Sequence, residues 1–224
     1  MTAPSPSTVK ATRVVVVDDH PMLRERLAHL ISREADMTIC GEADNIQEAM
    51  EIIQQTKPDI AIVDITLHGS SGLELIKNLK AAGCAVPILV LSMHDESLYA
   101  QRALRAGARG YVTKHEASET VMIAIRRVLQ GEVYLSDQLT SRILKNLVQT
   151  GLEIEGPAVD RLTDRELEVF QMIGRGRATR EIAEALNLGV KTVDTYRERI
   201  KQKLNLQNAA ELHHQAIQWV NEME

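Results

Sequence analysis

Short apolar runs alternate with longer amphipathic stretches over the first 130 positions, and then the short runs stop. Strands are expected at about Arg13–Val17, Thr38–Glu42, Ile60–Asp64, Ile88–Leu91 and Gly110–Thr113. Helices are expected between and after them, at about Met22–Glu34, Ile46–Gln55, Gly72–Ala81, Glu96–Ala106 and Ala117–Gln130. The first, third and fourth strands are unbroken Val/Ile/Leu runs rather than alternating ones, the pattern of strands covered on both faces. Five βα units with right-handed crossovers make an α/β doubly wound, five-stranded parallel sheet.

Beyond Gly131 the pattern is helical. Ser136 can cap a helix over Asp137–Gln149, and Thr150–Asp160, with two Gly and one Pro, reads as linker. Thr163 and Glu166 form a capping-box pattern that opens a helix ending near Gly174. Helices follow at about Thr179–Leu186, Val190–Leu204 and Ala209–Val220, a spacing that fits a small all-α helix-turn-helix domain. The organisation is a polar leader at 1–11, an α/β domain at 12–130, a linker at 131–159 with a helix at about 136–149, and a helical domain at 160–224.

Composition narrows the class. The 224 residues are 44% hydrophobic and 25% charged, as in an ordinary globular protein, with cores of Leu, Ile, Val and Ala because only 3% is aromatic. No apolar run approaches bilayer length and no signal segment opens the chain, so the expectation is a cytoplasmic protein without a membrane partner. Cys40 and Cys84 lack metal-ligand spacing and read as reduced core thiols. The net charge is −5, yet Arg175–Lys203 holds eight basic residues against four acids, a local stripe suited to phosphate contacts.

The chemistry sits at strand ends. Asp18 and Asp19, Asp64, Ser92 and Lys114 each follow a predicted strand, and ligands of open α/β sheets bind outside the carboxyl ends of the strands. Taken singly, an Asp after a strand caps the next helix, and a lone lysine is solvated. Together, three carboxylates, a hydroxyl and an ammonium suit a hard divalent cation beside a phosphoryl group on an aspartate. His20, His68, His94 and His115 also fall near strand ends, either as scattered solvated side chains or as a transition-metal set.

These residues carry a resemblance. Val17-Asp18-Asp19-His20-Pro21, Asp64 with Gly72-Leu73-Glu74, Leu91–Asp95 and Gly110–Lys114 resemble a response-regulator receiver domain of flavodoxin-like fold. Leu162–Glu166 with Glu168-Val169, Glu181-Ile182-Ala183 and Lys191-Thr192-Val193 resemble the LuxR-type helix-turn-helix, and the whole chain resembles the NarL/FixJ two-component regulators. The resemblance implies that Asp64 takes a phosphoryl group from a sensor histidine kinase, with Mg²⁺ on Asp18, Asp19 and Asp64. It also implies that Ser92, Lys114 and Tyr111 bind the phosphoryl group and relay its arrival. The outcome would be a phosphorylated homodimer on promoter DNA, with RNA polymerase as a further partner and no enzymatic activity beyond self-phosphorylation and dephosphorylation. His68 replaces a common proline of receivers. Thr66 and His94 are expected to tune the lifetime of the phosphoryl group.

In the third helix of the second domain, Val193, Tyr196, Ile200 and Leu204 should pack inward. Lys191, Asp194, Thr195 and Glu198 are left as candidates for base edges in the major groove, with Thr192 a further DNA-binding candidate. Arg175, Arg177, Arg199, Lys201 and Lys203 are left for phosphates. Asp194 and Glu198 either accept from cytosine or orient a neighbouring arginine. The last helix, with Leu212, Ala216, Ile217, Trp219 and Val220, either pairs two subunits or completes its own core. Two rival functions stay in view. One is a regulator that ignores phosphorylation. The other is a Mg²⁺-dependent phosphatase, against which Asp64-Ile65-Thr66 lacks a general acid two residues on.

Overall fold

The computed structural model describes residues 11–67, 70–94, 96–116, 118–141 and 158–221. The chain divides into two compact units, residues 1–145 and 146–224.

In the first unit β1 (Thr12–Val17), β2 (Met37–Ala43), β3 (Ile60–Val63), β6 (Ile88–Ser92) and β7 (Gly110–Thr113) form a parallel sheet of order β2-β1-β3-β6-β7. Helices α1 (Pro21–Ser32), α2 (Ile46–Thr56), α3 (Gly72–Ala81), α4 (Glu96–Ala106) and α5 (Ser118–Leu129) join the strands. The unbroken runs are two-faced, as their composition requires. Val14, Val16, Ile60, Ile62, Leu89, Leu91 and Val112 share a core with Leu27 and Ile31 of α1 and Val121, Ala124, Ile125 and Val128 of α5. Pleat alternation turns Val15, Val17, Ala61, Val63 and Val90 to the opposite face, and all five are buried. Pro21 opens α1, where its missing N–H costs nothing, and the Asn45 side chain caps α2 by accepting from the Glu48 N–H.

Two features of this unit had no signal in the periodicity. Between β3 and α3 the chain folds back as a two-residue antiparallel pair, β4 (Thr66–Leu67) with β5 (Ser70–Ser71). Past α5, Tyr134 forms a parallel bridge with Gly110 at the free edge of β7. Cys40 and Cys84 are free thiols, half-buried rather than in the core. Of the helix expected at 136–149, residues 137–141 are helical and here termed α6, with Ser136 just before them; residues 142–149 lie outside the described residues, as does His68.

The second unit has a 3₁₀ turn at Ala158–Arg161, across the expected boundary between linker and helical domain, and then α7 (Asp164–Gly174), α8 (Thr179–Ala185), α9 (Val190–Leu204) and α10 (Ala209–Asn221). The capping box at Thr163 and Glu166 forms as expected. Leu212, Ala216 and Val220 of α10 are buried and Trp219 packs on Phe170 at 5.5 Å, so most of the apolar surface of this helix serves its own core. Ile217 stays 43% exposed.

Candidate functional site

The carboxyl ends of β1, β3, β6 and β7 place Asp18, Asp19, Asp64, Ser92 and Lys114 together. Asp18 is 2% and Asp64 3% exposed, a burial that carboxylates tolerate only with a counter-charge. Lys114 supplies it: its ammonium donates to Asp64 Oδ2 at 2.6 Å and lies 2.7 Å from Asp18 Oδ2. Burial nonetheless pushes the Asp64 carboxyl above the usual carboxylate range; Lys114 pulls it down, and the charge of Asp18 works with burial. Asp64 Oδ1 is buried without a hydrogen-bond partner among the described residues.

Ligand atoms of Asp18, Asp19, His20 and Asp64 lie within 4.8 Å of one another. The donor set is mainly carboxylate oxygen, and a buried carboxylate oxygen there lacks a partner, so these residues fit Mg²⁺. Among the described residues the histidines do not assemble. Of the described histidines, His20 joins the acids, with Nδ1 2.7 Å from Asp19 Oδ1, while the exposed His115 takes no part in the group.

Beside the acids, Ser92 is fully buried and its Oγ accepts the His94 N–H at 3.2 Å. The His94 ring meets Thr66 Oγ1 at 2.9 Å and stacks on Tyr99 at 4.5 Å between centroids. Tyr111 is buried, and its hydroxyl donates to the His94 carbonyl oxygen at 2.9 Å. The loop after β6 is thus tied to β4 on one side and to β7 on the other.

Gly72 completes the site, a role that no local sequence pattern marks. Its N–H donates to the Ile65 carbonyl at 2.7 Å, closing the fold-back after Asp64. A Cβ there would overlap the Asp64 carbonyl oxygen and stand 2.9 Å from the carbonyl carbon. Only glycine lets α3 start so close to the acid.

In the second unit Lys191, Thr192, Asp194, Thr195, Glu198 and Arg199 of α9 are exposed, and Val193, Ile200 and Leu204 are buried; Tyr196 is half-buried. Arg175, Arg177 and Arg180 are exposed as well. Two lysines of the stripe turn elsewhere. Lys203 pairs with the buried Glu166 at 2.6 Å, and Lys201 pairs with Glu198 at 2.9 Å, so Glu198 orients a lysine and not an arginine. Arg197 reaches Thr179 at 3.5 Å and His213 at 3.4 Å.

A doubly wound α/β domain with an acid cluster at its strand ends, followed by a small helical domain, is the architecture of a two-domain regulator. Comparison with known proteins gives the particular family. The response regulator receiver domain matches residues 14–126, and the bacterial regulatory proteins of the luxR family match residues 160–216. Transcriptional activator protein ExaE of Pseudomonas putida is 36% identical over 92% of this chain and 95% of its own. Oxygen regulatory protein NreC of Staphylococcus aureus is 32% identical over 89% of this chain and 94% of its own. The crystal structure of a LuxR-family two-component response regulator from Aurantimonas sp. SI85-9A1 covers 62% of this chain and all of its own, at TM-score 0.58 and 34% identity. The chain belongs to the response regulators with a LuxR-type DNA-binding domain and is a regulator of transcription. Among the described residues no helix is long and apolar enough to cross a membrane.

Proposed function

We propose that Asp64 is the phosphoryl acceptor of a two-component system and that its phosphorylation switches DNA binding. The observation that carries this reading is the buried Asp64 carboxylate, held by Lys114 on one oxygen and without a partner on the other. Its carboxylate attacks the phosphorus of a phosphohistidine on a sensor kinase. The P–N bond breaks, and its electron pair leaves with the imidazole. Mg²⁺ on Asp18, Asp19 and Asp64 would neutralise charge on the acids and on the phosphoryl oxygens. Lys114 faces a phosphoryl oxygen as a point charge. Ser92 Oγ exchanges the His94 N–H for a phosphoryl oxygen, and Tyr111 holds the loop in its new place. Thr66 and His94, bonded to each other beside the acid, set the lifetime of the phosphoryl group.

The output is a homodimer on cytoplasmic promoter DNA, in contact with RNA polymerase. Lys191, Thr192, Asp194, Thr195 and Glu198 face base edges, and Arg177 and Arg199 face phosphates. Lys201 and Lys203 are further candidates for phosphate contact, but their ion pairs with Glu198 and Glu166 make them supports of the helix first. The domain limits that go with this reading are 12–130 and 160–224, joined by 131–159.

Incubation of the protein with Mg²⁺ and acetyl phosphate, read by intact mass, tests the chemistry. One phosphoryl group added to the wild type and none to Asp64→Asn is the expected result. Equal labelling of the two proteins overturns the assignment.

A further inference from the structure

In the second unit the cap-residue N–H is satisfied within the same helix: Glu166 accepts from Thr163 in a full capping box, and Glu181 accepts from Ala178, whose methyl side chain leaves the box half-made. The helix that begins at residue 137 breaks the rule. Its cap is Ser136, whose Oγ accepts the Leu139 N–H at 3.1 Å. The residue three positions on is Leu139, which cannot accept the Ser136 N–H. That bond is made by Glu96, the first residue of α4, with Oε1 2.9 Å away and 40 positions distant in sequence. A carboxylate at a helix start also opposes the positive end of the helix dipole. This capping box is split between two elements.

Glu96 heads α4, four positions after Ser92 in sequence. The loop after β6 is held by Tyr111 through its hydroxyl, and the backbone of Tyr111 holds the other end of the linker segment. Its N–H donates to the Tyr134 carbonyl at 2.9 Å, while the Tyr134 N–H donates to the Arg109 carbonyl at 2.9 Å. Arg127 lies 5.9 Å above the Tyr134 ring, and Arg109 donates to the Gly131 carbonyl at 3.2 Å. Residues 131–136 are therefore moored to β7 at one end, and to the head of α4 at the other. The Ser92 loop touches both moorings.

We infer that Glu96 is a positioning residue that couples the loop beside Asp64 to the first turn of the linker helix, by completing that helix's capping box from outside. The inference rests on the reading of Asp64 as the phosphoryl acceptor. When Ser92 Oγ leaves the His94 N–H for a phosphoryl oxygen, the loop moves, and Glu96 at the head of α4 moves with it. The cap on residue 136 weakens or tightens accordingly. The linker then feels the event before any contact between domains is required. The bistable element that such a switch needs is the first turn of α6.

The test uses the full chain and the variants Glu96→Ala and Glu96→Gln. Hydrogen–deuterium exchange is followed at residues 136–141, with and without Mg²⁺ and beryllofluoride, and acetyl phosphate labelling is read by mass. In Glu96→Ala these amides exchange about fivefold faster in the unliganded protein, the equilibrium change that a lost cap produces. Their response to beryllofluoride disappears, although Asp64 is labelled at the wild-type rate. Gln, whose Oε1 also accepts, restores protection and response in part. Equal exchange at 136–141 in Glu96→Ala and wild type overturns the inference. So does a beryllofluoride response that survives in Glu96→Ala. A wild type that takes up neither phosphoryl group nor beryllofluoride overturns the acceptor reading, and with it the claimed coupling; the unliganded exchange rates then still decide whether the split cap exists.

Discussion

Gly72→Ala places a methyl group where the chain has no room for one, and so asks whether the fold-back after Asp64 sets the reactivity of the acid. The added carbon overlaps the Asp64 carbonyl oxygen, stands 2.9 Å from the carbonyl carbon and touches Val63 Cγ1 at 3.0 Å. Carbon atoms rest at about 3.5–4.0 Å, so the Asp64 peptide and the start of α3 must separate by about 1 Å. The neighbours cannot yield cheaply. Val63 is a fully buried residue of the central strand, and the Gly72 N–H is bonded to the Ile65 carbonyl. Overpacking of this kind costs about 1–3 kcal/mol. The chemical effect is larger, because a misplacement of about 1 Å at a reacting group costs on the order of a hundredfold in rate. Acetyl phosphate labelling, followed by intact mass at a temperature where near-ultraviolet circular dichroism shows the variant folded, should therefore slow by about two orders of magnitude. Folded Gly72→Ala that is labelled at the wild-type rate would refute the argument. Gly189→Ala is the control, since its φ is −74° and a Cβ there meets only Thr192 Oγ1, at an ordinary 3.6 Å.

Other outcomes follow from the same geometry. Lys114→Met removes the ammonium between Asp18 and Asp64, so Mg²⁺ should bind about tenfold more tightly by calorimetric titration while labelling slows; unchanged affinity would count against the acid cluster as the metal site. His94→Ala frees the position that Thr66 and Tyr99 fix and should shorten the half-life of phosphorylated protein severalfold, and a half-life equal to or longer than that of the wild type would dismiss the role of the pair. Burial works to raise the Glu166 carboxyl, but bonds from Lys203 and Thr163 outweigh it and hold the group below its ordinary range. The stability it contributes is present above the unfolded value near 4.5 and is lost as pH falls through the lower folded value. Glu166→Gln should cost about 1–3 kcal/mol at pH 7, and much less near pH 3, in urea unfolding read by the single Trp219; an equal cost at both pH values would sink the linkage.

The strands, the helix order and the five strand-end residues were legible because each rests on local pattern. Val14–Val17 and Ile88–Leu91 can only be buried strands, and chain order then puts Asp18 and Ser92 at their ends. What was not legible depends on partners far away in sequence. Lys203 reads as one more cation of a basic stripe until Glu166, 37 positions earlier, claims it. Tyr134 pairs with the sheet through a single residue, too short to leave a period. Gly72 looks like any glycine at the head of a helix, because its reason is the approach of the Asp64 carbonyl. The β4–β5 pair involves four residues, two of them serines, without alternation to mark it.

The same distinction separates charge counted from charge available. Eight cations between Arg175 and Lys203 suggest a strongly basic surface, yet Lys201 and Lys203 are paired with acids and Arg197 reaches across to Thr179 and His213. Exposed Arg175, Arg177, Arg180 and Arg199 are the cations that the proposed function leaves for phosphate. Binding that neutralises Z phosphates varies with salt at a slope of about −0.9Z, so each paired lysine removed from the DNA-facing set makes affinity less dependent on salt by about one unit of slope. The paired residues still matter to recognition. Lys203 ties the end of α9 to the cap of α7, and a helix fixed at its far end can present Lys191 and Thr195 in one orientation. Phosphate contacts supply affinity, and the internal ion pair supplies the register in which those contacts are made.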